Sequence, residues 1–322
     1  MKAAVYRRYG PPEVVRIEEL PTPSPGPLEV LVRVRATTVS AADWRARSLM
    51  MPPGFGPFAR PVFGFLGPRK KVLGTELAGV VEAVGSGVTR FKPGDAVFAF
   101  PGFDLGAHAE YRVMKEDGRI APKPPSLSFE EAAALCFGGT TALHFLRTLG
   151  KVQPGEEVLI IGASGAVGSA AVQLAKHLGA RVTGVTSTRN LALVAELGAS
   201  RVIDYTKARF TELGEKYDVI FDTVGATSFE ESEAVLKDGG RLLLAAATLV
   251  QILRSGAKKN GKRVITGTTP ETREQLVELA QLVEAGKFRP VIDRTFPLER
   301  IAEAHALVDS GHKRGSVVVT VG

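Results

Sequence analysis

The sequence predicts an α/β protein in which a doubly wound parallel sheet is combined with a second, β-rich domain. Three features lead to this fold class: short strands with frequent Gly and Pro up to about residue 120, a change to helical patterning near residue 126, and an alternation of apolar strands with helices beyond it. Apolar strands that alternate with helices are typical of a parallel sheet covered by helices on both faces.

Short strands dominate the first part of the chain. The clearest alternating or β-branched patterns lie at 29–39, 77–87, 90–100 and 107–114. Short strands separated by Gly and Pro turns predict a barrel or a sandwich. Residues 50–71 are rich in Gly, Pro and Phe and predict a long loop. Its phenylalanines either line the mouth of an apolar pocket or pack the loop against the domain.

Repeated strand–helix units are predicted for the rest of the chain. A Ser cap and an acidic first turn open a helical segment at 126–150. Further strands are predicted at 157–162, 181–186, 201–205, 218–225, 240–246 and 263–268, and helices at 166–180, 190–199 and 272–288. The last strand is β-branched like the N-terminal strands, so we expect it to return to the first domain. The predicted limits are 1–123 with 287–322 for the β-rich domain and 124–286 for the parallel sheet.

The composition is that of a globular protein with a substantial core, since 44% of the 322 residues are hydrophobic and 23% are charged. No run of about 18 apolar residues is present that would span a membrane. Residues 1–15 also lack the apolar segment of a secretory signal. We therefore expect a cytoplasmic protein without a membrane partner.

The net charge of +7 is spread over short basic clusters, and the longest, 254–263, contains no aromatic residue. We therefore expect no nucleic-acid partner, while a mild basic excess suits a polyphosphate ligand. The single cysteine, Cys136, excludes an intramolecular disulfide and a four-cysteine zinc site. Its apolar surroundings predict a buried side chain.

A glycine cluster follows the predicted strand at 157–162. Aligned with the six-residue GxGxxG fingerprint it reads Ala163, Ser164, Gly165, Ala166, Val167 and Gly168, with Gly162 just before it. Strand, glycine turn and helix in this order predict a Rossmann dinucleotide-binding site. In such a site Gly165 lets the backbone approach a pyrophosphate, and Gly168 lets helix and strand pack closely. The alternative is a tight turn that binds no ligand.

The next strand ends at Thr186, where NAD-binding proteins carry an acidic residue for the ribose 2′-hydroxyl. Thr186, Ser187 and Thr188 carry no charge that would repel a 2′-phosphate, and Arg189 can pair with one. The turn therefore favours NADP(H) over NAD(H). The alternative is that Ser187 or Thr188 caps the following helix and Arg189 is solvated.

Several stretches resemble the medium-chain dehydrogenase/reductase superfamily, and within it the zinc-independent quinone oxidoreductase and enone reductase branch. They are MKAAVYRRYGPPEVVRIEELPTPSPGPLEVLVRV, LGTELAGVVEAVGSGVTRFKPGDAVFA, HAEYRVM, GASGAVGSAAVQLAKHLGA, LGASRVIDY, VIFDTVG and KRGSVVVTV. The resemblance covers essentially the whole chain. It implies a GroES-like barrel domain that holds the substrate, a Rossmann domain that holds NAD(P)H, an active site in the cleft between them, and hydride transfer.

The resemblance also implies cofactor contacts for individual residues. Contacts to a 2′-phosphate fall on Ser187, Arg189 and Tyr205, although the usual lysine of the branch aligns near Asn190. Contacts near the nicotinamide half of the cofactor fall on Thr141, Val224 and Gly225.

Four residues are candidates for catalysis: Ser40, Asp43, Trp44 and Thr141. Asp43 also fits a loop-fixing role, which is the more common one for such an aspartate. Trp44 is either a substrate contact or part of the core. No residue identifies itself as the proton donor, and water is an alternative source.

The resemblance predicts that zinc is absent. The zinc alcohol dehydrogenases of the superfamily use a cysteine where this chain has Ser40 and a histidine where it has Thr75, while Cys136 lies roughly where a third ligand falls. A hydroxyl does not replace a thiolate or an imidazole as a zinc ligand. We therefore expect structural roles for Glu76 and Cys136.

These observations predict an NADPH-dependent oxidoreductase that transfers hydride to a quinone or an α,β-unsaturated carbonyl without zinc. Such acceptors need less polarisation than a simple carbonyl. The alternatives are a zinc-free reductase or dehydrogenase of another carbonyl or alcohol, and a non-catalytic NADPH-binding protein on the same fold. By analogy with the family we expect a homodimer formed at the sheet edge around 263–268, next to the insertion at 247–262.

Overall fold

The structure is a computed structural model that describes all 322 residues of the chain. It contains sixteen β-strands and ten α-helices. The strands are, in chain order, β1 (Lys2–Tyr6), β2 (Val15–Glu19), β3 (Glu29–Val39), β4 (Leu77–Val84), β5 (Ala96–Ala99), β6 (Tyr111–Lys115), β7 (Ile120–Pro122), β8 (Glu157–Ile161), β9 (Arg181–Thr186), β10 (Arg201–Asp204), β11 (Tyr217–Asp222), β12 (Leu236–Leu244), β13 (Lys258–Lys259), β14 (Lys262–Thr266), β15 (Ile292–Pro297) and β16 (Ser316–Thr320).

The helices are, in chain order, α1 (Ala41–Ser48), α2 (Gly56–Phe63), α3 (Phe129–Ala133), α4 (Cys136–Leu143), α5 (Ala166–His177), α6 (Leu191–Glu196), α7 (Phe229–Glu233), α8 (Leu249–Leu253), α9 (Arg273–Glu284) and α10 (Ile301–Asp309). A π-helix, His144–Leu149, follows α4 directly. No helix in the structure combines the length and the apolar character that crossing a bilayer requires.

The chain divides into two compact units. The first consists of residues 1–51, 56–137 and 271–322, and the second of 52–55 and 138–270. The sequence predicts 124–286 for the second domain, so α3 and α9 belong to a different unit from the one expected. The reason is packing, since α3 contacts β3, β4 and β5 while α9 contacts β7. Helical periodicity shows that a helix has a buried face but not which sheet covers it.

The first unit is built on β3, which pairs antiparallel with β4, β6 and β16. Its main sheet runs β15-β16-β3-β4-β5-β7, and β1 and β2 form a separate antiparallel pair. Val30, Val32 and Val34 recur at the two-residue period of a strand and lie in the hydrophobic core. The pairing of β16 with β3 confirms that the last strand returns to the first domain.

The second unit is an open sheet in the order β10-β9-β8-β11-β12-β14-β13. All of its strands are parallel except β13, which adds a short antiparallel edge. Val158, Leu159 and Ile160 of β8 are fully buried, as expected for a strand covered on both faces. The chain runs outward from β8 to β10 and then resumes on the other side of β8 with β11. The loops after β8 and β11 therefore diverge at the carboxyl edge of the sheet, where doubly wound folds bind ligands.

Residues 50–71, predicted as a long loop, contain the helix α2. Pro57 lies in its first turn, where a missing N–H costs little, and Ala59 is buried. Gly64 ends the helix with a φ of 130°, and its carbonyl accepts a hydrogen bond from the Tyr9 hydroxyl at 3.0 Å. Such contacts outweigh the weak helix propensity of a segment rich in Gly and Pro.

Candidate functional site

The loop between β8 and α5 is the centre of the candidate nucleotide site. Gly162 has a φ of 79°, and a Cβ placed on it would lie 2.6 Å from Val224 Cγ1 and 2.7 Å from Thr223 Oγ1. A Cβ on Gly168 would lie 2.0 Å from the Gly162 carbonyl oxygen. Backbone conformation and close packing therefore require glycine at both of these positions.

Gly165, the N-cap residue of α5, differs from the other two glycines. Its φ is −76°, and the nearest atom that a Cβ would meet is the Gly162 oxygen at 3.5 Å. Neither strain nor crowding inside the protein requires glycine here. Gly165 also has no side chain to accept hydrogen bonds from the first-turn amides of α5, so these amides are open to an anionic group. The residues between the glycines are Ala163 and Ser164, which are buried, and Ala166 and Val167, which are half-buried.

Thr141 lies on α4, close to this loop. One turn earlier on α4, a Cβ on Gly138 would lie 2.5 Å from the carbonyl oxygen of Ala166, the first residue of α5. The absence of a side chain at Gly138 therefore brings α4 close to the start of α5. Thr141 itself is half-buried, and it belongs to the same unit as the glycine loop.

A hydroxyl network ties the glycine loop to the turn after β9. The Thr186 hydroxyl donates to Ser164 Oγ at 2.9 Å, and Asn190 Nδ2 donates to Ser164 Oγ at 3.0 Å and to Ser187 Oγ at 3.2 Å. Asn190 is buried and was not among the predicted site residues. Its signal in the sequence is only that it aligns near the lysine expected from the family resemblance.

The structure contradicts the alternative in which Ser187 or Thr188 caps the following helix. Neither the short 3-10 turn at 188–190 nor α6 has a side-chain cap. Thr188 instead donates its hydroxyl to Asp204 Oδ2 at 2.5 Å. Arg189 is exposed on the same turn.

Asp204, at the end of β10, is a second residue that the sequence reasoning missed. The hydrogen bond from Thr188 and bonds from the Thr206 amide and hydroxyl lower the pKa of its carboxyl group. The next residue, Tyr205, has a side chain that is 58% exposed and an amide that donates to the Thr186 carbonyl oxygen at 3.1 Å. Tyr205 therefore stands beside the end of β9. A carboxylate at the end of a strand adjacent to β9 is the signal that could have identified Asp204.

The loop after β11 is organised by the fully buried Asp222. Its Oδ1 accepts from the amides of Val224 and Gly225, both at 2.9 Å, and its Oδ2 accepts from the Thr227 amide at 2.9 Å. Burial raises the pKa of the carboxyl group, while these amides oppose the shift. Val224 is 56% exposed and Gly225 has a φ of 78°. Asp222 thus sets the backbone of the loop that carries both residues.

The candidates Ser40, Asp43 and Trp44 lie at the start of α1 in the first unit. Asp43 Oδ2 accepts from the Ser40 amide at 2.9 Å and from its hydroxyl at 2.6 Å, while Oδ1 accepts from the Gly74 amide at 2.8 Å. Asp43 is fully buried, so its carboxylate holds the segments at 40 and 74 together. Trp44 is half-buried and packs against the hydrophobic core.

The two positions that hold zinc ligands in related alcohol dehydrogenases carry hydroxyls that contact each other. Ser40 Oγ and Thr75 Oγ1 are 3.2 Å apart. Cys136 is buried, its thiol donates to the Ala99 carbonyl oxygen at 3.7 Å, and burial raises its pKa well above the usual value. Among the 322 described residues, no group of three or more His, Cys, Asp or Glu side chains is arranged to hold a metal ion. The donors present do not match a zinc site.

Glu76, next to Thr75, is a buried acid whose carboxyl group accepts hydrogen bonds from two other segments of the first unit. Its Oε1 accepts from the Thr38 hydroxyl, and its Oε2 accepts from the Phe137 amide at 2.7 Å. Burial raises the pKa of Glu76 to about 7. The carboxyl group therefore ties β3 to the first turn of α4.

Comparison with known proteins identifies the family. Three family models match: an alcohol dehydrogenase GroES-like domain at residues 26–125, an alanine dehydrogenase/PNT C-terminal domain at 136–235 and a zinc-binding dehydrogenase domain at 197–319. The chain is 34% identical to the chloroplastic quinone-oxidoreductase QR1 of Triphysaria versicolor, covering 99% of this chain and 98% of the relative. It is 33% identical to the chloroplastic NADPH-dependent alkenal/one oxidoreductase of Arabidopsis thaliana, covering 99% of this chain and 79% of that protein.

A solved structure supports the same assignment. The quinone oxidoreductase from Coxiella burnetii superposes with a TM-score of 0.89 at 32% identity, covering all of this chain and 99% of the other. The first unit is thus a GroES-like domain and the second a Rossmann-type domain. The chain belongs to the quinone oxidoreductase branch of the medium-chain dehydrogenase/reductase superfamily and is an oxidoreductase of that type.

Proposed function

We propose that this protein is an NADPH-dependent reductase that transfers hydride to a quinone or an α,β-unsaturated carbonyl, and that it works without zinc. The observation that carries the proposal is the glycine loop. Gly165 is the one fingerprint glycine that neither strain nor crowding requires, so a ligand that approaches the first turn of α5 explains it best. The names of the relatives supply the acceptor class.

The residues of the second unit fit a dinucleotide. The first-turn amides of Ala166, Val167 and Gly168 and the N-terminal dipole of α5 suit a pyrophosphate, while the Gly165 amide donates to the Gly162 carbonyl oxygen. The loop held by Asp222 offers Val224 and Gly225 to the nicotinamide-side ribose, with Thr141 on α4 as a further contact. When bound, the nicotinamide supplies the hydride.

NADPH is proposed over NADH because of the turn after β9. Its end carries Thr186 and Ser187, where an NAD-binding protein would carry an acid that repels a 2′-phosphate. Arg189 supplies a planar guanidinium cation, which pairs well with phosphate, and Tyr205 adds an exposed ring and hydroxyl beside the end of β9. Asp204, a carboxylate near this turn, accepts hydrogen bonds from Thr188 and Thr206.

The first unit is proposed to contribute acceptor contacts. Ser40 and Trp44 are candidates for these contacts, whereas Asp43 is better described as a positioning residue because its carboxylate holds the Ser40 and Gly74 segments in place. The Ser40 and Thr75 hydroxyls are hydrogen-bond donors rather than Lewis acids, and each donates to Asp43, so a bond to the acceptor requires the hydroxyl to rotate. A conjugated acceptor suits such a site, because the charge that develops on its oxygen is stabilised by hydrogen-bond donors. Water remains a candidate for the proton donor.

The test is a comparison of acceptors. NADPH oxidation would be measured with a quinone, an enone and an aldehyde, each with and without a chelator. We expect turnover with the quinone or the enone and no effect of the chelator. Turnover confined to the aldehyde would favour a reductase of another carbonyl, chelator sensitivity would indicate a metal enzyme, and NADPH binding without any turnover would indicate a binding protein.

Three further features belong to the proposal. The family analogy suggests a homodimer through the sheet edge near β14, and the short, scattered basic clusters argue against nucleic acid as a partner. A cytoplasmic location follows from the sequence expectation alone. Sedimentation at several protein concentrations would test the homodimer. Fractionation of the source cells would test the cytoplasmic location.

A further inference from the structure

The segment that follows α1 carries an exposed surface whose residues have no assigned part in the proposed reaction. We call it the apolar–basic patch, and it comprises Phe58, Arg60, Val62, Phe65, Leu66, Arg69, Lys70 and Lys71. The four apolar side chains are each more than half exposed, and Leu66 is fully exposed. The four basic residues are exposed as well.

The patch has a defined conformation. The Gly64 carbonyl oxygen accepts from Tyr9, the Arg69 amide donates to the Phe63 carbonyl oxygen at 2.9 Å, and Arg60 Nη1 donates to the Phe65 carbonyl oxygen at 2.8 Å. Phe63 itself turns inward against the hydrophobic core. The exposed side chains therefore extend from an anchored loop, and their exposure is a property of the fold.

Within the segment that carries the patch the charge has one sign, and a nearby carboxylate, Glu18, is paired with Arg7. No Asp or Glu occurs between Asp43 and Glu76, while the patch alone contributes four cations. A second copy of the same chain would bring these cations together, which like-charge repulsion opposes. An anionic surface attracts these cations. The exposed apolar side chains favour a surface into which they can insert, such as the boundary between lipid headgroups and acyl chains.

We propose that the apolar–basic patch binds the protein to the surface of an anionic lipid bilayer. Phe65 and Leu66 would enter the boundary between headgroups and acyl chains, and Arg69, Lys70 and Lys71 would contact lipid phosphates and carboxylates. The helix α2 has eight residues, far short of the roughly 20 that span a bilayer, so the segment lies on the membrane and does not cross it. The proposal departs from the sequence expectation of no membrane partner, which rested on the absence of a spanning segment.

The experiment is cosedimentation of the full chain with vesicles. Vesicles of phosphatidylcholine alone would be compared with an equal mixture of phosphatidylcholine and phosphatidylserine. We expect binding to the mixed vesicles, little binding to phosphatidylcholine alone, and a loss of binding at high salt. Replacing Arg69, Lys70 and Lys71 by Ala should weaken binding by more than about tenfold, and F65S together with L66S by about tenfold.

Matched controls separate the patch from overall charge and hydrophobicity. Lys92, Arg181 and Arg289 have side chains that are 82%, 64% and 69% exposed, and their joint replacement by Ala removes the same charge elsewhere. Leu28→Ser removes an exposed apolar side chain outside the patch. These controls should keep full vesicle binding, and all variants should keep the thermal unfolding midpoint of the parent.

Several results would overturn the proposal. They are equal binding to both kinds of vesicle, equal losses in patch and control variants, or no vesicle binding at all. Binding to polyglutamate without binding to vesicles would assign the patch to an acidic protein partner instead. The readout does not involve NADPH, so failure here leaves the proposed reductase activity untouched.

Discussion

The two units fix their candidate site loops in different ways. In the first unit, Asp43 holds the start of α1 partly through the side chain of another candidate, Ser40. In the second unit, Asp222 holds the loop after β11 through backbone amides only. The amides of Ser40 and Gly74 that donate to Asp43 are also buried, whereas two of the three amides that Asp222 holds belong to the exposed Val224 and Gly225 and can turn to water when the carboxylate is lost. The segments held by Asp43 in the first unit should therefore be the more sensitive to loss of their central carboxylate.

The largest effect is expected from removing the two aspartates in turn. Asp43→Ala leaves the two buried amides of Ser40 and Gly74 without an acceptor and should lower the free energy of unfolding by about 4 kcal/mol, whereas Asp222→Ala leaves one buried amide, that of Thr227, and two that water can reach, and should lower it by about 2 kcal/mol. Urea denaturation measures both. The exposed Asp117 serves as control, since its replacement by Ala should have little effect. Equal losses for the two buried aspartates would remove the distinction between the units.

The glycine loop allows a sharper test within the second unit. Gly168→Ala places a Cβ 2.0 Å from the Gly162 oxygen and should destabilise the protein by about 3 kcal/mol. Gly165→Ala has room for its Cβ and should change stability by less than about 1 kcal/mol, yet weaken NADPH binding. Thermal unfolding and NADPH titration of both variants check this pair. Unchanged NADPH affinity in Gly165→Ala would argue against a pyrophosphate at this turn.

Glu76 predicts a pH dependence that belongs to the first unit. Its pKa is raised from 4.5 to about 7 in the folded protein, so between these values the folded state holds a proton that the unfolded state has lost. The stability contribution is therefore complete below pH 4.5 and is lost as the pH rises through 7, by about 3 kcal/mol in total. Denaturation from pH 5 to pH 8 would show the decline. Glu76→Gln should flatten the profile, and an unchanged slope would assign it to another group.

Arg189 bears on cofactor choice and not on stability. Arg189→Ala should weaken NADPH binding by ~1.5–3 kcal/mol, the worth of a charged hydrogen bond, and leave NADH binding nearly unchanged. Titration with both cofactors measures this difference. The exposed Arg209, further along the chain, provides a control of the same charge. Equal losses for both cofactors would show that Arg189 supports the turn and does not read the 2′-phosphate.

Sequence patterns predicted the second unit better than the first. Strands that are buried on both faces read as apolar runs, and the order of strand, glycine turn and helix marked the loop at 162–168 by local pattern alone. The hydrogen bonds from Gly74 to Asp43 and from Asn190 to Ser164 left no such pattern, because they join residues that come together only when loops at different strand ends meet. The partners of Asp222, in contrast, lie two to five residues further along the same loop. The helix α2 was missed because contacts of Phe63 and Gly64 with the rest of the first unit outweigh the local propensity of the segment.

The sequence by itself determined the fold class, the glycine fingerprint, the return of the last strand to the first domain and the family. These depend on periodicity and spacing along the chain, which local physics converts directly into strands, turns and helices. Only the tertiary structure decided which unit α3 and α9 join, that Gly165 alone among the fingerprint glycines is free of internal constraint, and that Phe65 and Leu66 stay exposed beside their basic neighbours. These depend on distances between residues far apart in sequence, and such distances exist only once the chain has packed.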